Sequence, residues 1–351
     1  MKKIHTALIL AGVLLLGLLA GCVTSSPSSG GSNSSGDMPD WFLDPRGVYP
    51  EDKYMTAIGT GDTRRAAEQS AMAGLSQIFE SQISVDVSTA ERYRDLVSSS
   101  GNVSESELML AQSTNVQSNQ TLLNVQFGEA AVDNEGRVHA IAYIDRMATG
   151  RIYQDLIQKN SGFVTAYMEE YRAAADPIRK YAFVSAAAVV AQSNALLMDQ
   201  LRIISQVFYA MTSLPYDQRR VLQEKVDMAS GMTINIRIQG AEGPQVEAAV
   251  REALSQERFP TADPALLSVG GDVRIEDIEL NPKYKSVRWY LNLDFTGPDG
   301  KALVSYNNQG RASAVTAESA RSFAMDDISK AVRQDFIGSV RGYFDGLVQG
   351  N

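Results

Sequence analysis

The segment 287–295, VRWYLNLDF, alternates apolar and polar residues along its whole length. Successive side chains of a β-strand point to opposite faces, so this pattern predicts a strand with one buried and one solvated face. The apolar positions, which would face the core, are Val287, Trp289, Leu291, Leu293 and Phe295. Arg288, Tyr290 and Asn292 would lie on the opposite face, where an aromatic ring between polar side chains forms a candidate surface for a ligand or a partner.

The segments around this strand predict an α+β unit over residues 230–351. Pro244 suits the first turn of a helix, and Thr316 is a candidate N-cap for a closing helix. Alternation predicts the remaining strands, which cover 232–238, 266–280 (one strand or two) and, after a turn at 297–300, 302–307. The inward face of the closing helix is predicted to contain Ala320, Phe323, Ala324, Ile328, Ala331, Val332, Phe336, Val340, Phe344 and Leu347.

A similar unit is predicted over residues 39–145. Small residues recur at helical spacing between Thr63 and Ile78, so this helix can lie close on a sheet. The predicted elements are, in order, a strand (54–58), a turn (59–62), that helix, a strand through Ile83, Val85 and Val87, a polar loop with a short helix (93–118), and a hairpin (122–132 and 137–144) that turns at 133–136.

Residues 146–229 are predicted to connect the two units as a helical hairpin. Its helices cover 146–171 and 178–211, and Asp176-Pro177 breaks them because proline lacks the amide hydrogen. This pair would act as a brace between domains or as a surface for lateral self-association. The predicted fold class is therefore α+β: two small domains, each of strand-helix-strands-helix order, joined by a long helical hairpin. The halves share no clear sequence identity, so a duplication is only a topological hypothesis.

The first residues have the composition of a signal peptide. Lys2 and Lys3 precede an apolar run over 4–20, and the run ends in Leu19-Ala20-Gly21-Cys22, which resembles a bacterial lipobox. We therefore expect residues 1–21 to be a signal peptide that is cleaved between Gly21 and Cys22. The run is shorter than the ~20 residues that span a bilayer. A plain secretory signal remains an alternative, but Cys22 is the one cysteine of the chain.

Cys22 would carry the lipid anchor, a diacylglyceryl thioether with acyl chains such as palmitate. Residues 22–38 are rich in serine and glycine, a composition typical of a flexible tether. The residue after Cys22 is Val23, whereas an aspartate there would resemble an inner-membrane retention signal. We therefore expect an outer-membrane location, with the folded body facing the periplasm or the cell surface.

Residues 39–145 resemble the twenty-kilodalton outer-membrane lipoprotein family, LPP-twenty. The residues that carry the resemblance are Pro39-x-Trp41, Tyr54, Gly59-x-Gly61, the helix with Ala66, Ala67, Ala71 and Leu75, and the strand end Ala142-Tyr143-Ile144-Asp145. The resemblance implies a small α+β domain without a known catalytic activity, used in assemblies beneath or on the outer membrane. It implies no catalytic residues for this chain.

The net charge and the lack of catalytic motifs argue against several classes of function. The formal net charge is −9, which argues against nucleic acid as a partner because basic contacts to phosphate dominate such binding. After signal cleavage His139 would be the one remaining histidine, and it lies in a predicted strand. We predict no metal, no cofactor and no catalytic residues. Gly59-x-Gly61 lacks the third glycine of a dinucleotide fingerprint, since Arg64 stands in its place.

The sequence therefore predicts a non-catalytic outer-membrane lipoprotein. It would be a structural or accessory component of a periplasmic or envelope assembly and act through protein–protein contacts. Its expected partners are the membrane, through Cys22, and envelope proteins or a second copy of itself. The alternative is a peptidoglycan- or small-ligand-binding module that uses Arg288, Tyr290 and Asn292.

Overall fold

Strands β1 (Tyr54–Gly61), β2 (Gln126–Val132) and β3 (Val138–Asp145) form an antiparallel N-terminal sheet in the order β1-β3-β2. The computed structural model of the protein describes residues 38–79, 87–98, 122–281 and 283–349. Two short helices, α1 (Asp40–Leu43) and α2 (Pro45–Val48), precede β1. The predicted hairpin is confirmed, and β2 and β3 turn at Gly136, whose φ of 80° suits glycine. Its first strand begins at Gln126 rather than at the predicted 122.

Helix α3 (Arg64–Gln77) packs directly against β1. Its N-cap is Thr63, whose hydroxyl oxygen accepts the amide hydrogen of Ala66 at 3.2 Å. Its buried residues are Ala67, Ala71, Leu75 and Ser76. The small side chains allow the close packing that the sequence predicts. Ile78, predicted on this face, is instead exposed because it lies beyond the last helical residue.

Gly59 and Gly61 were predicted in a turn, but they belong to β1. Pairing with β3 continues through them, opposite Ala140 and Val138. A Cβ atom on Gly59 would overlap backbone atoms of α3. The two glycines therefore allow the helix to approach the strand, and this explains the motif without a phosphate ligand.

Helix α4 (Val87–Ser98) overturns the prediction that Val87 lies in a strand. Its buried residues Tyr93, Leu96 and Val97 recur at helical spacing. An alternation of only three residues is too short to outweigh this helical pattern. The other predicted strand positions, Ile83 and Val85, and most of the predicted loop lie outside the described residues.

Helices α5 (Arg146–Ala173) and α6 (Pro177–Ile204) form the predicted antiparallel pair. Asp176 caps α6, and its carboxylate accepts the amide hydrogen of Arg179 at 3.1 Å. Helix α6 ends at Ile204 rather than Met211, because Ser205 is extended and caps a separate short helix, α7 (Gln206–Met211). The polar segment before the second sheet is helix α8 (Gln218–Gly231), which the sequence analysis does not assign because its apolar face is narrow.

The C-terminal sheet has the order β4-β5-β6-β7, with β4 (Ile234–Gln239), β5 (Leu267–Asn281), β6 (Tyr284–Thr296) and β7 (Ala302–Ala314). β5 is one strand, and β7 extends beyond the predicted Asn307 because its pairing with β6 continues to Ala314. β4 pairs in parallel with β5 through the crossover helix α9 (Gly243–Gln256). The N-terminal sheet is wholly antiparallel, so the two topologies differ.

One continuous helical segment closes the chain and covers the inner face of this sheet. It comprises α10 (Ala317–Ala331), a π-helical turn (Val332–Phe336) and α11 (Ile337–Gln349). Thr316 is the N-cap, as predicted, and accepts the amide hydrogen of Ser319 at 3.1 Å. Phe323, predicted on the core face, is 53% exposed because Ala320 and Ala324 define the buried line of α10.

The buried side chains form two hydrophobic clusters, and α6 contributes to both. Leu201 belongs to the cluster with Leu75 and Ile144 of the N-terminal sheet region, whereas Phe183 belongs to the cluster with Leu291 of β6. Helix α6 is long and apolar enough to cross a membrane, but most of it is buried inside the protein. The described residues from Met38 onward group as one compact unit, and the division into two domains stays a prediction.

Candidate functional site

The outer face of β6 carries the predicted surface residues. Arg288 and Asn292 are exposed and Tyr290 is half-buried, while Trp289 and Leu291 between them are buried. Trp289 and Leu291 belong to the same buried cluster as Ala320, Ala324 and Ile328 of α10, so this helix packs on the opposite face of the sheet. The structure therefore places the three residues side by side on one solvated surface, as the alternation predicts.

Both tryptophans of the chain are buried, Trp289 as predicted. Trp289 is 5% exposed and packs over Gly310 of β7, and Trp41 is 6% exposed. The cleft beside Trp41, of about 790 Å³, is bounded by Tyr49 and Phe127 as well. Trp41 therefore does not present its ring to solvent.

Tyr290 is held by a residue that the sequence analysis did not single out. Arg274 of β5 lies directly opposite Tyr290, and its guanidinium carbon is 4.8 Å from the centre of the ring. This is a cation–π contact. The same guanidinium forms an ion pair with Glu276 at 3.0 Å (Nε to Oε1). Arg274 thus contacts both Tyr290 and Glu276 on the outer face of the sheet.

Asn292 is held in a comparable way by Asp272 of β5. Its side-chain amide donates to both carboxylate oxygens, at 3.1 and 3.2 Å. On the other side of β6, Asn307 and Gln309 of β7 lie opposite Asn292 and Tyr290. The outer face is thus a row of amide side chains beside one aromatic ring, a surface suited to hydroxyl and amide groups of a ligand.

Arg288 lies between Glu276 of β5 and Arg311 of β7 in the strand register. Both arginines are exposed. Among the residues that the structure describes, neither forms an ion pair or a side-chain hydrogen bond. Arg311 was missed by the sequence analysis because strand register depends on residues far apart in the chain.

His139, predicted to be structural, lies at the centre of a small hydrogen-bonded group. Its Nε2 is 2.8 Å from the carboxylate of Asp133, and its Nδ1 is 3.0 Å from the hydroxyl of Thr60. One tautomer satisfies both bonds, with Nε2–H donating to Asp133 and Nδ1 accepting from Thr60. The ring of Phe42 packs at 4.7 Å from the imidazole.

This group brings a hydroxyl, an imidazole and a carboxylate together, which the sequence analysis did not foresee. Asp133 also accepts the amide hydrogens of Glu135 and Arg137, both at 2.9 Å. These bonds lower the pKa of Asp133 to about 2, and the hydrogen bond with His139 is the largest cause. The arrangement braces the β2–β3 turn.

A second exposed surface, the α7 surface, consists of Met147, Val207 and Met211, which are 57%, 59% and 67% exposed. Val207 and Met211 are four residues apart on α7 and share one side of it. Helix α7 packs on the start of α5, where a Cβ on Gly150 would lie 2.6 Å from the ring of Phe208. Met147 is one turn before Gly150.

Two further site predictions concern the acylation sequence and metal binding. Gly21 and Cys22 lie outside the described residues, so the lipidation site stays a prediction. Within the described ranges, no group of three or more His, Cys, Asp and Glu side chains is arranged to hold a metal ion.

The comparison with curated proteins gives no match. Among solved structures, the secreted protein HP1454 from Helicobacter pylori matches with 15% identity and a TM-score of 0.36, covering 80% of this chain and 96% of that one. A minor lipoprotein from Acinetobacter baumannii matches with 11% identity and a TM-score of 0.27, covering 32% and 95%. A protein from Caulobacter crescentus CB15 that is described as a lipoprotein matches with 11% identity and a TM-score of 0.24, covering 36% and 96%.

A comparison with family models tests the resemblance directly. One match covers the segment that contains α1 to α4 and the whole N-terminal sheet. Residues 39–145 of this chain match the LPP20 lipoprotein family, which confirms the family predicted from their sequence.

Proposed function

We propose that this protein is a non-catalytic lipoprotein, anchored in the outer membrane through Cys22, that serves an envelope assembly as a structural or accessory component. The lipobox at Gly21-Cys22 and the family match over residues 39–145 support the lipid anchor. The proposed location is the periplasmic face of the outer membrane, and the proposed mode of action is protein–protein contact.

The observation that carries this proposal is the α7 surface. Exposed apolar side chains that cluster on a folded protein are typical of interaction sites. Met147, Val207 and Met211 would each lose water-accessible apolar area in a contact, and methionine adapts its shape to a partner. The surface lies at the end of the helical hairpin, the region predicted from sequence to support self-association.

The experiment measures the mass of the acylated protein in mild detergent by light scattering, for the wild type and for Val207→Ser/Met211→Ser. We expect an oligomer that the double substitution dissociates. A photo-crosslinking residue at Met211 should also form adducts in cells. A matched residue at Val315, which is 77% exposed and lies after β7, should not.

The mass of the adducts identifies the partner that contacts Met211. Adducts between copies of the chain would identify the partner as the protein itself, whereas adducts of another mass would identify an envelope protein. A monomer that gives no adducts at Met211 would contradict the proposal.

A second candidate function is binding of peptidoglycan or a small ligand on the outer face of β6. The observation that favours it is the Arg274–Tyr290 pair, in which a guanidinium at 4.8 Å orients an aromatic ring on a solvated sheet. Saturable co-sedimentation with purified sacculi, weakened by Tyr290→Ala, would support it. Unchanged binding by the variant would exclude this face.

A further inference from the structure

Arg288 and Arg311 lie directly opposite each other on β6 and β7. Opposite residues of an antiparallel pair have Cβ atoms about 4.5–5.5 Å apart, and like charges at such positions repel. Both side chains are exposed on the same face of the sheet. The sheet therefore holds the two guanidinium groups close enough for their positive charges to repel each other.

Within the described ranges, no acidic side chain forms an ion pair or a hydrogen bond with either arginine. Glu276, the carboxylate opposite Arg288, forms its ion pair with Arg274. The neighbouring carboxylates are also engaged: Asp272 accepts from Asn292, and Asp294 accepts from Ser305 at 2.6 Å. On a chain whose net charge is −9, these two arginines form a local cationic site.

We propose that Arg288 and Arg311 together bind a carboxylate group of peptidoglycan; this inference rests on the second candidate function above. Guanidinium groups bind carboxylates through paired charge-assisted hydrogen bonds. An anion between the two arginines would also remove their repulsion. The two arginines supply the positive charge that binds a carboxylate, whereas Tyr290 and Asn292 are uncharged.

The surroundings of the pair favour a sugar polymer with carboxylates over a lipid headgroup. Tyr290 follows Arg288 on the same face, and Gln309 precedes Arg311 on the same face of β7. Beyond them lie Asn292 and Asn307, which are opposite each other. Aromatic and amide groups next to the cationic pair match the hydroxyl, N-acetyl and peptide groups of a glycopeptide, whereas a phosphatidylglycerol headgroup has no N-acetyl or peptide group.

The test is co-sedimentation of the full-length mature protein with purified sacculi. The clamp variant is Arg288→Ala/Arg311→Ala. The control is Arg65→Ala/Arg219→Ala, which removes the same charge from two exposed arginines on α3 and α8. A third variant, Arg288→Lys/Arg311→Lys, keeps the positive charge but removes the planar guanidinium group, which donates two parallel hydrogen bonds to a carboxylate.

We expect the clamp variant to bind about tenfold more weakly, the control to bind within about twofold of the wild type, and the lysine variant to lie between them. Sacculi whose carboxyl groups have been amidated should bind the wild type as weakly as the clamp variant binds native sacculi. The clamp variant should show no further loss on amidated sacculi.

Other outcomes separate this inference from the function on which it rests. If Tyr290→Ala loses binding and the clamp variant does not, the ligand face stands and the carboxylate site is overturned. If the wild type binds phosphatidylglycerol vesicles and not sacculi, the ligand is a lipid phosphate and the inference is overturned. Equal loss in the clamp and control variants would show a general charge effect and would also overturn it.

Discussion

Arg92 and Asp345, which are 253 positions apart, form a two-pronged ion pair between α4 and α11. The guanidinium donates from Nε to Oδ2 at 2.9 Å and from Nη2 to Oδ1 at 2.6 Å. Nη2 also donates to the hydroxyl of Ser185 on α6, at 3.2 Å. Both charged side chains are nearly buried. A helix from the family-matched segment is therefore tied to the last helix of the chain.

We expect Asp345→Asn or Arg92→Met alone to lower the free energy of unfolding by about 3–5 kcal/mol, because each leaves a buried charge without its partner. Urea denaturation followed by circular dichroism measures this loss. The double variant Arg92→Met/Asp345→Leu should recover much of the stability, since it leaves no buried charge. Additive losses in the double variant would contradict this account.

Gly59→Ala should lower the free energy of unfolding by about 2 kcal/mol or more. The added methyl group would overlap backbone atoms of Ala67 and Ala71, which cannot move independently of their helix. Thermal denaturation of the purified protein measures the effect. Gly342→Ala is the control, since Gly342 is exposed on α11 and a Cβ there meets no atom within 4 Å. It should be neutral or stabilising by about 1 kcal/mol. An unchanged melting temperature for Gly59→Ala would disprove the close approach.

The lowered pKa of Asp133 predicts that the free energy of unfolding depends on pH. Its pKa is lowered from 3.8 to about 2 by the hydrogen bonds from His139 and the turn amides. Because the folded pKa is the lower one, the stabilisation is complete above the unfolded value and is lost as the pH falls through 3.8 toward 2. The wild type should exceed Asp133→Asn in free energy of unfolding at pH 6, and this difference should shrink between pH 4 and pH 2, by urea denaturation. A difference that stays constant over this range would contradict the assignment.

Gly310→Ala should displace the ring of Trp289, because the added Cβ would lie 2.5 Å from its Cε2 and Cζ2 atoms. We expect a lower melting temperature and a red shift of tryptophan fluorescence, measured in a Trp41→Phe background so that Trp289 is the one tryptophan. Gly270→Ala on β5 is the matched control, since a Cβ there has open space. Identical spectra for the two glycine variants would contradict the packing.

Several elements were predictable because their signals are local. The hairpin turn at 133–136, the helix break at Asp176-Pro177, the cap Thr316 and the buried position of Trp289 follow from residues a few positions apart. Helix α8 was not predicted, because only Val221 and Ala229 of this polar segment are buried and burial depends on the neighbouring helices. Val87 was wrongly predicted in a strand for the related reason that three alternating residues carry little information.

The candidate site, too, was predictable from the sequence only where its signals are local. The alternation of 287–295 places Arg288, Tyr290 and Asn292 on one face, since the period of two is a property of the strand itself. The sequence by itself thus determined the mixed α+β character, the family of residues 39–145 and the solvated side of β6. Only the tertiary structure decided that Arg311 lies opposite Arg288, that Arg274 covers Tyr290 and that Arg92 meets Asp345. These contacts join residues distant in sequence, so they depend on strand register and helix packing, which the whole fold sets.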